Sequence, residues 1–186
     1  LPTSETKTIH DADGLWLTPG LLDIHTHEDL EAELDPGLPE VVRHGTTSVV
    51  VGNCSIGLAF GAQRNERQDP IVDCFARVEN IPKSVLAKTA DKAVWTKPKE
   101  YLEHLDELPL SANMAPFLPH SMLRIEVMGL QDSISRQPSG TELLRMTGIL
   151  EEALEDGYMG MSTDGLPLHF LANEPNLEKR IPTQYA

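Results

Sequence analysis

Apolar residues fall into short runs that end in polar side chains, separated by stretches with helical spacing. The first run, Leu21 to Ile24, follows the turn signal Pro19-Gly20 and closes on His25-Thr26-His27. It predicts a buried strand that delivers polar residues at its C-terminal end. Residues 36–45 predict a helix, with Pro36 near the start, Gly45 closing it, and Leu38, Val41 and Val42 on an apolar face. Thr46 to Val51 is β-branched almost throughout and predicts a second strand, ending at Gly52-Asn53-Cys54. Strand, short helix and strand at this spacing make a βαβ unit, hence parallel strands. The unalternated Val49-Val50-Val51 suits a sheet covered on both faces.

Residues 57–98 are less regular and read as an insertion after the second strand, with a helix near 70–79. Lys99 to Leu108 predicts another helix. Ser111 to Leu118 predicts a third strand ending at Pro119-His120, and an apolar stretch, Leu123 to Leu130, leads into a polar loop. Thr141 to Asp156 is the clearest helix. Thr141 caps it, Leu143, Leu144, Met146, Ile149, Leu150, Ala153 and Leu154 form one stripe, and Gly157 follows as C-cap. Tyr158 to Met161 predicts a fourth strand, ending at Ser162-Thr163-Asp164-Gly165, and residues 166–186 read as loop. Four strands linked mainly by helices fit the first half of a (β/α)₈ barrel, an α/β fold whose site forms at the C-terminal ends of the strands.

Composition narrows the functions. A formal net charge of −14, from 29 acids against 15 bases, argues against a nucleic-acid-binding surface. No apolar run is long enough to span a membrane, and no basic, apolar signal segment opens the chain. The chain starts at Leu1 rather than Met, so an N-terminal piece is expected to lie outside it. Two cysteines make no disulfide scaffold, and a reducing, cytoplasmic setting is the simplest expectation.

The chemistry centres on His25-Thr26-His27. In extended backbone, residues i and i+2 point to one side, so two imidazoles can approach one cation. Neutral imidazole suits zinc and similar metals. Cys54 ends the neighbouring strand, where its thiolate could reach the same region or its thiol could simply fill space. His120 and Asp164, at the ends of the third and fourth strands, are candidates for the substrate side, with structural roles as the alternative. Asp23 reads as a brace for the strand end, His44 as a partner of a helix C-terminus, and Cys74 as core filler. His10, His104 and His169 carry no signal.

The runs TPGLLDIHTHED, HGTTSVVVGNCS, PHSMLRIEVMG and EDGYMGMSTDGLP, within residues 11–165, resemble the D-aminoacylase (N-acyl-D-amino-acid deacylase) group of the amidohydrolase superfamily. The resemblance implies metal ligation by His25, His27 and Cys54, with one or two zinc ions. It implies hydrolysis of an amide in a small N-acyl amino acid, the metal polarising the carbonyl and lowering the pKa of water. The general-base Asp and two further histidines are expected beyond residue 186, so this chain alone is not expected to be competent. Residues 1–17 would end a small β domain, and residues 18–186 would form the first half of the barrel, with the insertion at about 57–98. Two departures bear on the substrate. Pro119 precedes His120 where the group has Gly, and Asp164-Gly165-Leu166-Pro167-Leu168 lacks the tyrosine usual there. Hydrolysis of a cyclic amide or dipeptide, or a non-catalytic half-barrel that binds a partner, are the alternatives.

Overall fold

The valine run does what its composition predicts. In the computed structural model, which describes residues 8–64 and 69–186, Thr46–Val51 forms the central strand β2 and its last three residues are buried. It pairs in parallel with β1 (Leu21–Asp23) on one side and β3 (Asn113–Pro116) on the other. A second parallel pair joins β4 (Leu118–Pro119) to β5 (Met161–Ser162). The helices in chain order are α1 (Glu28–Leu34), α2 (Pro39–Arg43), α3 (Pro70–Val78), α4 (Lys83–Ala90), α5 (Pro98–Glu107), α6 (His120–Met128), α7 (Leu130–Ser133) and α8 (Gly140–Asp156). Parallel strands connected by helices give the partial (β/α) barrel that the sequence predicts. No helix among the described residues is long and apolar enough to cross a membrane.

Several predicted elements shift, each for a physical reason. Strand β1 is present, but Leu21, Leu22 and Ile24 are 60%, 62% and 67% exposed rather than buried. It is the edge of its sheet, and among the described residues no strand pairs with its outer flank. The predicted third strand divides at Phe117: β3 bonds to β2, whereas β4 turns to β5. Phe117 bridges the two, its N–H donating to the Val51 carbonyl while the Leu118 N–H donates to that of Gly160. The fourth strand lies at Met161–Ser162, later than the predicted 158–161, because Tyr158 turns into the core and its hydroxyl donates to the Pro98 carbonyl.

The helix expected over 36–45 shortens to α2, and α1 precedes it. The last helix is capped by Ser139 rather than Thr141, since Ser139 and Glu142 form a reciprocal capping box. Only Met146 and Ala153 of its stripe are buried, while Leu143, Leu144 and Leu154 stay exposed, because α5 and α6 pack along one side of it.

The insertion is more ordered than its sequence suggests, although residues 65–68 lie outside the described part. Helices α3 and α4 pack on each other, and Ile71, Phe75 and Leu86 join the main core with Ile56, Leu118 and Met122. Arg64 holds the segment by donating to Asp69 and Asp91. Of the segment 1–17, residues 1–7 lie outside the description and residues 8–17 form no strand. The tail returns to the core: the buried Arg124 guanidinium donates to the carbonyls of Ser133, Arg136 and Tyr185.

Candidate metal centre

All five residues singled out in the sequence lie just beyond the C-terminal ends of parallel strands. His25 and His27 follow β1, Cys54 follows β2, His120 follows β4 and Asp164 follows β5. The first two strand ends are tied together locally. Thr26 donates to the Val50 carbonyl through both N–H and hydroxyl, and the Asn53 amide donates to the carbonyls of Thr26 and Val50. The chain then turns through positive φ at Gly52, Cys54 and Ser55 (+72°, +51° and +64°). Such backbone is uncommon for residues with a side chain and recurs at functional sites.

Ser162 at the end of β5 receives the Ser55 N–H and donates to the Gly52 carbonyl. Ser55 and Ser121 share a hydrogen bond at 2.7 Å. Ser121 in turn accepts from the Thr183 N–H, and Thr183 meets His120 Nδ1 at 2.9 Å. A network of small polar groups therefore fixes the cysteine loop against β5 and α6.

Within that frame, donor atoms of His25, His27 and Cys54 all lie within 4.8 Å of one another. Among the described residues no other group of His, Cys, Asp and Glu converges in this way. His25 Nε2 is 3.1 Å from Cys54 Sγ. Both ring nitrogens of His27 are buried and have no hydrogen-bond partner, an arrangement that wastes polar groups unless something else binds them. Burial, aided by His25 and His169, lowers His27 to about 4, so its ring is neutral at physiological pH, the form that ligates metal. Two imidazoles and one sulfur are a donor set that fits zinc. Burial pushes the Cys54 thiol up to about 11, with Asp164 and Glu79 adding to it.

His120 and Asp164 do not join this cluster. His120 opens α6 and turns to Thr183, and burial, with Arg124 nearby, lowers it to about 4. Asp164 Oδ1 accepts from the Leu166 N–H in a turn, while Oδ2 meets His169 Nδ1 at 2.8 Å and accepts from Gln184. Asp23 accepts from the His25 N–H and so braces the strand end, His44 lies 3.6 Å from Glu40 on α2, and Cys74 is fully buried in the core.

Three nearby residues carry no sequence signal. His169 is a lone histidine in the tail. Glu79 lies at the end of α3, within the insertion, and its carboxylate sits 3.1 Å from His27 Nε2. Asp29 follows the histidine pair on a helix with four acids in seven residues, yet it is almost fully buried and its Oδ2 has no partner. A cavity of about 570 Å³ opens beside the histidines, lined by His25, His27, Glu28 and Glu79 together with Leu34 and Val85. Burial, then Glu31 and Asp23, raises Glu28 to about 7.

Asp29 yields a test of this packing. Burial raises its carboxyl to about 7, with Glu28 and Glu79 adding and backbone N–H groups opposing. A carboxyl raised on folding contributes stability that is complete below the unfolded value, 3.8, and is lost as pH climbs through about 7. Asp29→Asn, which stays neutral, is therefore expected to gain stability relative to the parent between about pH 4 and 8. Urea unfolding across that range measures the gap, and a gap independent of pH would contradict the buried carboxyl.

The partial parallel β/α barrel, with two histidines after its first strand and a cysteine after its second, is similar to solved D-aminoacylases, a subset of the amidohydrolases. No family model matches it. It is 40% identical over 179 residues to an uncharacterised protein of Mycobacterium tuberculosis, covering 95% of this chain and 28% of that protein. It is 33% identical over 153 residues to the N-acyl-D-aspartate deacylase of Alcaligenes xylosoxydans xylosoxydans, covering 82% of this chain and 27% of that enzyme. It superposes with a TM-score of 0.60 on N-acyl-D-glutamate deacylase from Bordetella bronchiseptica, crystallised with zinc and a phosphonate inhibitor, at 29% identity over 78% of this chain and 27% of that one. The chain thus spans about 28% of the length of the curated relatives it matches.

Proposed function

We propose that the protein carrying this chain hydrolyses the amide of an N-acyl-D-amino acid, with His25, His27 and Cys54 as zinc ligands. The observation that carries this reading is the convergence of two imidazoles and one thiol at adjacent strand ends, with His27's buried nitrogens left without hydrogen bonds. The similarity to N-acyl-D-aspartate and N-acyl-D-glutamate deacylases supports the choice of substrate. When bound, one or two zinc ions supply the electrophile for the carbonyl and the acidification of water.

The chain's own residues arrange the setting. The Asn53 amide and the Ser55–Ser162 contact hold the cysteine loop, and Phe75 packs edge-on to the His27 ring. The Asp164 carboxylate meets His169 Nδ1 at 2.8 Å. The site works on a small molecule, and the two free thiols fit the reducing setting of the cytoplasm.

A cyclic or otherwise uncharged amide is the second reading. Among the described residues no Lys or Arg lines the cavity beside His25 and His27, which favours a substrate without a carboxylate there. Paired D and L N-acyl amino acids and an uncharged cyclic amide, assayed with the zinc-loaded full-length protein, separate the two. Turnover of only the D enantiomers supports the first reading, and turnover of only the cyclic amide would overturn it.

A further inference from the structure

A histidine that gives one ring nitrogen to a metal must keep its proton on the other, and in a buried site that N–H needs an acceptor. Both nitrogens of His27 are buried, and Nε2 lies 3.1 Å from Glu79 Oε1, within hydrogen-bond distance but not aligned as a bond. A small rotation of the ring or the carboxylate completes it. His25 Nε2 faces Cys54 Sγ instead, at 3.1 Å.

Glu79 reaches this position for a simple helical reason. Residues four apart lie on one face, and the Glu79 N–H closes the last turn of α3 on the Phe75 carbonyl. The ring of Phe75 meets that of His27 edge-on, with centroids 5.8 Å apart and planes at 90°. One helix of the insertion therefore supports the imidazole twice, by an aromatic edge and by a carboxylate. Glu79 does not belong to the group whose donor atoms lie within 4.8 Å of one another, which separates it from the three ligands.

We propose that Glu79 is a positioning residue for the metal centre: it accepts the ring N–H of His27, sets the tautomer, and turns the other nitrogen to the cation. This rests on the metal-ligand reading of His25, His27 and Cys54, and it gives the insertion a function there.

The test uses the full-length protein, Glu79→Ala and Glu79→Gln. Cobalt(II) is titrated against a competing chelator and followed through the thiolate-to-cobalt absorption of Cys54. Glu79→Ala is expected to weaken cobalt binding by about 10–100-fold, the usual effect of removing a carboxylate behind a ligating histidine. Glu79→Gln keeps an oxygen acceptor and is expected to recover most of that affinity. In the zinc-loaded protein, nitrogen NMR should show one fixed His27 tautomer in the parent and in Glu79→Gln, and a loss of that preference in Glu79→Ala. Binding in Glu79→Ala as tight as in the parent would overturn the inference alone. So would a loss in Glu79→Gln equal to that in Glu79→Ala, which would mark the carboxylate as a direct ligand. A parent protein that binds no cobalt would overturn the metal reading and this inference with it.

Discussion

Cys54→Ala protein, exchanged into zinc and freed of excess metal, is expected to retain little of the zinc that the parent holds. Cys54 supplies the only sulfur in the converging group, and its Sγ lies 3.1 Å from a ring nitrogen of His25. Removing it leaves two neutral imidazoles, which are weaker donors for zinc than a set that includes a thiolate. The loss should exceed the roughly 10–100-fold typical of residues that only support a ligand. The fold should persist, because Cys54 lies at the edge of the core and Ala at this position leaves the Ser55–Ser162 and Ser55–Ser121 bonds in place. Elemental analysis beside a thermal melt separates lost metal from lost structure. Unchanged zinc content in a folded Cys54→Ala protein would contradict the assignment.

The second large effect is expected at Gly52. Its φ is +72°, and a Cβ there would run into the backbone carbonyl oxygen of Phe117. Backbone in that region costs an ordinary residue about 1–3 kcal/mol, and the collision adds to it because the obstacle is main chain rather than a flexible side chain. Relief would have to come from parting the end of β2 from Phe117, where the sheet hands over from β3 to β4. Gly52→Ala is therefore expected to unfold at clearly lower temperature, by roughly 2–4 °C for each kcal/mol lost. It should also bind metal less well, since Cys54 lies two residues on and the Gly52 carbonyl accepts from Ser162. Calorimetry and metal titration of the same sample test both parts, and a variant that melts with the parent would refute the steric argument.

How far the sequence leads depends on where the information lies. The run TTSVVV, the helical stripe that became α8 and the histidine pair after an apolar run are local patterns. Each leads to an element or a cluster found in the structure. The division of the third strand at Phe117 is not local: it depends on β3 and β4 choosing different neighbours, which no pattern within Ser111–Leu118 encodes.

Burial fails for a related reason. Leu21 and Leu22 are apolar enough for a core but lie on a strand with one open flank, while Asp29 and Glu33, on a helix that reads as polar, are buried by helices far away in sequence. The Glu33 carboxylate is met by His104 at 2.8 Å, 71 residues on, and Glu79 reaches His27 across 52 residues. Such pairings exist only once the chain has folded. Cys54 stands out in the sequence through its place at a strand end and the resemblance carried by Gly52-Asn53-Cys54-Ser55, and in the structure Gly52 and Asn53 build the turn that carries it.

X-ray absorption at the zinc edge of the loaded full-length protein tests the central claim most directly. Ligation by Cys54 with His25 and His27 predicts a sulfur shell at about 2.3 Å beside nitrogen or oxygen at roughly 2.0–2.1 Å, with imidazole scattering beyond. A spectrum with light-atom ligands alone, and no sulfur shell, would contradict it.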